Sequence, residues 1–418
     1  MLADLRSRKL VVQVSDEAGL EAHLAESPRV VYCGFDPSAD SLQIGNLVPL
    51  LTLRRLQKAG HRPILLVGGA TGLIGDPSDK REERNLNVRE VVAGWAQSVR
   101  AQAARFLDSE GDAGAVVVNN LDWTGRLDVI SFLRDVGKHF SVNAMIQREW
   151  VRSRLEAEES GISFAEFTYS ILQAMDFKQL AERYGCTVQI GGSDQWGNIV
   201  SGVDLVRRTL AKKVFALTIP LLTKADGTKL GKTEAGTVWL DAARTSPYAF
   251  YQFLINTADS DVVSHLRRLT FLDTEEIEAA EKTVAENPGS REAQRLLASE
   301  VTRIVHGEPG LRSAQRITDA LFSGSLESLT EVDFEQLALD GIDCTTIESD
   351  AGLVAVMART PLARSRTAAR QLVRSRAVRV NGRLAEDTEC TLSRANARYG
   401  RYHLIRRGRK SWHLVAHA

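Results

Sequence analysis

Long apolar runs are missing from this chain of 418 residues. None approaches the roughly 20 consecutive apolar residues that a membrane-spanning helix requires. The opening MLADLRSRKLVVQV likewise has no apolar stretch of the kind a secretory signal carries, so a cytoplasmic protein without membrane association is expected. Cysteine is scarce. The four residues Cys33, Cys186, Cys344 and Cys390 stand far apart with no C-x-x-C spacing, which argues against a disulfide framework and against a zinc site; no protein-bound metal is expected. Internal repeats and low-complexity tracts are absent too. A phosphate-binding P-loop is also missing, although ADGTKLGKTEAG (225–236) imitates one. Its Gly227 and Gly231 enclose three residues where G-x-x-x-x-G-K-[ST] has four. The continuation EAGTVW then puts a glycine in the would-be first helical turn, followed by strand-like residues. What remains is a glycine-loosened loop whose Lys224, Lys229 and Lys232 can reach an anion.

Net charge is absent as well, with 53 basic and 53 acidic residues, but the balance hides an asymmetry. From Arg359 onward the chain has fifteen Lys and Arg against three acids, a net of +12, leaving −12 on the rest. A basic terminal domain suggests a polyanionic partner, and its arginine-rich composition favours nucleic-acid phosphate over a merely solvated surface.

What is present in the first half is an alternation of strands and helices. RVVYCGF (29–35) reads as a buried strand and LVPLLTLRRLQKAG (47–60) as a helix, with Pro49 in its first turn and Gly60 past its end; RPILLVGGATG (62–72) reads as the next strand. Further strands are expected at GAVVVNN, CTVQIGG and VFALTIPLL. The alternation implies a Rossmann-like, doubly wound α/β fold on a mostly parallel sheet, whose ligands sit at the carboxyl ends of the strands. In VREVVAGWAQSVRAQAARFLD, Val88, Val91, Val92, Trp95, Val99 and Phe106 fall at helical spacing, giving Trp95 a packing role. The pattern is helical from Pro247 to about Ser323, weakly patterned and acidic over 324–350, and then basic, with a helix followed by short strands around the hairpin signal Asn381-Gly382. The expected domains are 1–235 (α/β), 236–323 (α-helical), 324–350 (linker) and 351–418 (small, basic, α+β).

Three segments gather polar groups at the expected ligand edge. After the first strand, Gly34 and Gly45 leave backbone open while Asp36, Ser38, Gln43 and Asn46 precede a helix N-terminus, a favourable anion site, although such residues also serve as ordinary caps. After the second, Gly68, Gly69, Thr71, Gly72 and Gly75 lead to Asp76, Lys80, Arg81 and Arg84. After CTVQIGG come Asp194 and Gln195, an acid at a place suited to ribose hydroxyls. In AEFTYSILQAMDFKQLAERYG, Tyr169, Gln173 and Asp176 are spaced i, i+4, i+7 and lie within roughly 60° of one another on a helix. A narrow polar stripe in an otherwise apolar helix marks a lined pocket or a buried network.

These elements together resemble the bacterial tyrosyl-tRNA synthetases. YCGFDPSADSLQIGN is similar to the HIGH region of class I enzymes, KLGKT (229–233) to the KMSKS loop, and the tail to a small RNA-binding module. The resemblance extends over nearly the whole chain. It implies an enzyme that activates L-tyrosine with ATP, accompanied by Mg²⁺, and loads it onto tRNA(Tyr) as a homodimer joined through an insertion at about 121–164, with 236–323 on the anticodon side. By matched position, Tyr32 and Asp176 would hold the phenol, and Asp76, Tyr169 and Gln173 the ammonium, with Gln195 beside the carboxylate. Cys33, Gly192 and Asp194 would face ribose, with Gly34, Asp36, Ser38 and Gly45 also on the ATP side; Lys80, Arg84, Lys229 and Lys232 would meet pyrophosphate. RNA contacts are expected from Arg364, Arg366, Arg370, Arg374 and Arg376. The chain departs from the family at HIGH, which reads Gln43-Ile44-Gly45-Asn46. An amide at Gln43 can donate but carries no charge, so the alternative is a weakened or specialised copy acting as an RNA-binding or resistance protein. Tryptophan activation is disfavoured by the pair Tyr32 and Asp176.

Overall fold

The computed structural model describes residues 1–77, 87–156, 161–233 and 236–418. The chain divides into two compact units, Met1–Leu240 with Val263–Ala279, and Asp241–Val262 with Ala280–Ala418.

The first unit is built on a six-stranded sheet of β1 (Gln13–Val14), β2 (Val30–Phe35), β3 (Arg62–Val67), β4 (Val116–Asn119), β5 (Cys186–Gly192) and β6 (Phe215–Ile219). Their order is β1-β6-β5-β2-β3-β4. All neighbours are parallel except β1, which runs antiparallel to β6. The chain proceeds outward from β2 to β3 and β4 on one side and later fills β5 and β6 on the other, so the order reverses between β2 and β5. That is where a doubly wound sheet opens a crevice at its carboxyl edge. The expected strands all form, and the polar loops after β2, β3 and β5 consequently meet at one edge.

Helix Leu47–Lys58 buries Leu47, Val48, Leu50, Leu51, Leu53 and Leu56, and Gly60 follows its end with φ +91°. Helix Phe164–Arg183 packs Ile171, Met175, Phe177 and Leu180 into one cluster with Tyr32, Ile64 and Leu66. Helix Arg89–Ala104 buries Val92, Ala96, Val99 and Ala103, whereas Val88 and Val91 are exposed and Trp95 is half-buried. Its packed stripe runs i, i+4, i+7, i+11 and is filled partly by alanines, a rotation that bulk alone did not reveal.

Two segments differ from the expected domains. Residues 263–279, placed by pattern in the helical region, cluster with the α/β unit. There Arg8 and Arg55 donate to the carbonyls of Leu272 and Thr270, and the cations of Arg55 and Lys58 lie 4.7 and 4.4 Å from the Phe271 ring centre. The stretch 324–350, expected as a linker, carries helix Glu331–Gln336 and strand Cys344–Ile347. The strand pairs in parallel with Ser411–His417. Phe334 is fully buried and stacks on Tyr402 with centroids 5.4 Å apart. The acidic composition conceals a few apolar anchors whose partners come some seventy positions later.

The second unit holds helices Pro247–Ile255 and Glu292–Ser323, the latter broken at Gly307. Its five-stranded sheet has the order Arg383–Leu384, Val378–Val380, Tyr402–Arg407, Ser411–His417, Cys344–Ile347. The anticipated hairpin forms through Asn381 and Gly382, with φ 49° and 85°, the two positive values that a type I′ turn demands. Within this sheet the Nε2 atoms of His403 and His417 lie 3.2 Å apart, and both rings are buried. They share one proton, because two imidazolium N–H groups would point at each other. Burial, then the neighbouring His417, pushes His403 down to about 4; burial also lowers His413. An unfolded imidazole titrates near 6.5, so the neutral His403 ring stabilises fully above that pH and its contribution is lost as pH falls towards 4. Thermal unfolding of the full chain should therefore show a loss of stability between pH 7.5 and 5, to which His403 contributes. His403→Leu/His417→Leu should reduce that dependence, leaving the part due to other histidines that burial lowers, such as His306; an unchanged slope would exclude the pair as a source.

Candidate active site

The crevice is a cavity of about 350 Å³ whose walls come from the loops after β2, β3 and β5 and from one face of helix Phe164–Arg183. The helix is fixed at its start. Ser163 Oγ accepts from the Glu166 N–H at 3.3 Å, and the Glu166 carboxylate meets Arg154 at 3.1 Å with both side chains buried. Held this way, Tyr169, Gln173 and Asp176 all line the cavity.

At the deep end stands Asp176, 1% exposed. Asn120 Nδ2 donates to one of its oxygens at 3.0 Å and Trp123 Nε1 to the other at 2.8 Å. Burial nevertheless outweighs these two donors and raises the carboxyl to about 7. Tyr32, at the crest of β2, packs its ring against Phe177 at 5.2 Å. Its hydroxyl is buried with no hydrogen-bond partner among the described residues, as is Gln173 Oε1. A buried polar group left unpaired costs about 1–3 kcal/mol, so the site is shaped for a ligand that supplies the missing partners.

Further out, Tyr169 Oη donates to Asp36 Oδ2 at 2.5 Å and Thr71 Oγ1 to Asp36 Oδ1 at 2.6 Å. Asn120 Nδ2 also reaches Thr71 Oγ1 at 3.0 Å, while its Oδ1 accepts from the Ala70 N–H at 2.7 Å. A continuous network thus links the two ends of the pocket. Gly68 makes room for it, since a Cβ there would lie 1.9 Å from Asp36 Oδ1. Asp36, expected on the nucleotide side, lines the cavity and accepts from Tyr169 and Thr71. Gln195 Nε2 donates to Asp76 at 2.6 Å, joining the loops after β3 and β5.

Cys33, Gly34, Ser38, Gly45, Gly192 and Asp194 line the same cavity. No atom lies within 4 Å of where a Gly45 side chain would begin, leaving its backbone open to a ligand. Burial raises the Asp194 carboxyl and pushes the Cys33 thiol up to about 12, which makes Cys33 a neutral contact and no nucleophile. The Gln43 N–H donates to Asn46 Oδ1 at 2.9 Å, so Asn46 caps its own turn. Gln43 pairs antiparallel with Trp239; Ile44 N donates to Val238 O and Leu240 N to Leu42 O. The strand after the lysine loop is thereby fastened to the Gln43–Asn46 turn. The loop itself is a hairpin, with Thr223 bridged to Lys229 and Gly227 and Gly231 at φ 82° and 93°, and not a phosphate cradle. Lys229 lines the cavity, and Lys232 pairs through its backbone with Thr237. Lys80 and Arg84 lie outside the described residues.

The site's geometry has known counterparts. Residues 24–323 match the tRNA synthetases class I (W and Y), and 333–415 match the tyrosine–tRNA ligase SYY-like C-terminal domain. The chain is 56% identical to a tyrosine–tRNA ligase of Aliivibrio fischeri (strain MJ11) and 53% identical to that of Escherichia coli (strain K12 / DH10B); in both cases the match covers 99% of this chain and 98% of the relative. It belongs to the tyrosine–tRNA ligase family. Among solved structures, a C-terminally truncated mitochondrial tyrosyl-tRNA synthetase of Aspergillus nidulans is 30% identical with TM-score 0.69, covering 76% of this chain and 93% of that one. The tryptophan-bound tryptophanyl-tRNA synthetase of Encephalitozoon cuniculi, at 14% identity and TM-score 0.54 over 81% of this chain and 90% of its own, shares the fold.

Sequence reasoning missed two members of the pocket network, Asn120 and Trp123, and the role of a third, Thr71. The signal was available, because NLDW (120–123) follows β4 at the edge where the other loops gather. Arg364, Arg366, Arg370, Arg374 and Arg376 are all exposed in the second unit. On helix Arg366–Arg374, Ala369 and Val373 are buried, and Arg366, Arg370 and Arg374 at i, i+4, i+8 form one stripe. Since Asn120 holds both Asp176 and Thr71, Asn120→Ala should raise the KM for tyrosine about tenfold, the cost of one hydrogen bond to a charged group, with the KM for ATP unchanged. Steady-state kinetics decides; equal effects on both substrates would refute the role.

Proposed function

We infer that this chain activates L-tyrosine with ATP to form tyrosyl-adenylate and pyrophosphate, then transfers tyrosine to the 3′ end of tRNA(Tyr). The observation that carries the amino-acid choice is the buried pair at the deep end of the cavity. Tyr32 offers an unpaired O–H and Asp176 an acceptor. A phenol hydroxyl answers both, accepting from Tyr32 and donating to Asp176. An indole N–H can only donate, so it would leave Tyr32 unpaired, and phenylalanine would leave Tyr32 unpaired and add no donor to the two that Asp176 already has. Tyrosyl enzymes are themselves the standard example of such discrimination.

We assign Asp76, Tyr169 and Gln173 to the substrate ammonium, with Asp36 and Thr71 orienting Tyr169. The reacting carboxylate is ionised at neutral pH and needs no general base. It needs alignment with the α-phosphate and cations where pyrophosphate charge develops. Lys229 is assigned to that charge, with Lys232, Lys80 and Arg84 as its proposed companions. Gly192, Asp194 and Cys33 are assigned to the ribose, and Gln43 and Asn46 to the phosphate side as uncharged amides. Mg²⁺ would arrive on the phosphate oxygens of ATP, its usual place.

Tyrosine-dependent exchange between ATP and pyrophosphate tests this reading. Wild-type protein should exchange with tyrosine and be inert with tryptophan. Lys229→Ala should lower the rate by about 10²-fold, the scale of one transition-state electrostatic contact. No exchange with any amino acid would overturn the assignment.

The homodimer is likewise a proposal. Ile130 (69% exposed), Val129 and Phe164 (74% exposed) leave apolar side chains in water in and beside the insertion, a pattern that marks an interaction surface. Ile130→Glu should convert a dimer to a monomer in sedimentation; an unaltered sedimentation coefficient would reject this surface.

A further inference from the structure

The deep end of the catalytic cavity holds a buried acid with no counter-charge. Asp176 is 1% exposed, and each of its oxygens already accepts from a neutral donor, Asn120 Nδ2 at 3.0 Å and Trp123 Nε1 at 2.8 Å. We propose that this pocket selects by ionisation state as well as by shape: it takes the ligand phenol with its proton and refuses the phenolate, so that tyrosines made acidic by ring substituents are excluded once they ionise. The proposal rests on the reading of L-tyrosine as substrate and adds to it the ionic form that binds.

The surroundings of Asp176 are neutral or negative. Among the described residues its carboxylate makes no ion pair; Arg183 lies over the Trp123 ring, 5.4 Å from its centre. From β2 come the unpartnered Tyr32 hydroxyl and the Cys33 thiol, which burial keeps protonated. Burial, and then Asp176, holds the Tyr32 hydroxyl well above its ordinary range, so it donates without giving up its proton. From β5 comes the uncharged amide of Gln189. On the helix of Asp176 itself, Tyr169 donates to Asp36, a second carboxylate whose charge opposes ionisation of Asp176. Asp76 accepts from Gln195. Lys229, which also lines the cavity, acts on Asp194, whose carboxyl it lowers.

Donors and acceptors then fix the number of protons. The ligand oxygen accepts from Tyr32 and its O–H donates to Asp176, so carboxylate and phenol hold a single proton between them. Without it, two negative oxygens would meet where little water screens them. Asn120 and Trp123 bring no relief, because each already donates to the carboxylate. Free tyrosine keeps its phenol proton up to about pH 10 and meets the requirement at any neutral pH. A phenol that ionises near neutrality must regain its proton on binding, with a loss of affinity of about tenfold for each pH unit above its own pKa.

The test compares L-tyrosine with 3,5-difluoro-L-tyrosine, in which fluorine is close to hydrogen in size but makes the phenol more acidic. ATP–pyrophosphate exchange is followed from about pH 6 to about pH 8.5 with both. Dividing kcat/KM for tyrosine by that for the analogue removes every titration of the enzyme that the two substrates share. The quotient should be level below the analogue's phenol pKa and rise about tenfold per pH unit above it. Calorimetry without ATP, in two buffers of different ionisation heat, supplies a second readout. At about one pH unit above its phenol pKa the analogue should take up close to one proton on binding, and tyrosine at the same pH close to none. A quotient independent of pH, no proton uptake by the analogue, or rejection of the analogue even where its phenol is protonated overturns the proposal. Exchange with tyrosine at a pH-independent quotient would sink selection by ionisation and spare tyrosine activation, whereas the stated proton uptake without exchange would do the reverse.

Discussion

A carboxylate buried where water cannot reach it governs the catalytic unit. Asp176 keeps two hydrogen bonds, from Asn120 and Trp123, yet burial still raises it to about 7. Two neutral donors do not replace bulk hydration of a charge. With the Tyr32 hydroxyl unpartnered in the same cavity, the free protein holds an unmet demand for one donor and one acceptor at the same spot. Only a ligand group that is both at once satisfies it.

This demand dictates much of the surrounding architecture. The helix that bears Asp176 is fixed at its start by the Ser163 cap and the buried Arg154–Glu166 pair. Asn120 ties Asp176 to Thr71, and Thr71 ties it onward to Asp36 and Tyr169. The glycine at position 68 is explained by crowding against that network. By comparison the phosphate side is built lightly. It has open backbone at Gly45, amides where the family carries imidazoles, and a lysine hairpin fastened to the Gln43–Asn46 turn by three short contacts to 238–240.

The second unit is organised differently. Its sheet keeps apolar residues and a neutral histidine pair inside and turns arginines outward in a stripe, with an aromatic groove elsewhere on the same unit.

The sequence by itself determined the strands, the doubly wound order, the polar stripe of Tyr169, Gln173 and Asp176, and the Asn381-Gly382 turn. Each is a local pattern, set by a period of two or 3.6 residues or by the backbone angles of one dipeptide. Only the tertiary structure decided that Asn120 serves Asp176 from 56 positions away and that Asp36 accepts from Tyr169 and Thr71. The same holds for 344–347, which joins the terminal sheet, and for 263–279, which packs with the α/β unit. A hydrogen bond or a strand pairing across such separations leaves no periodic trace in the residues between, because it is fixed by where the sheet's twist and crossovers bring distant chain ends together.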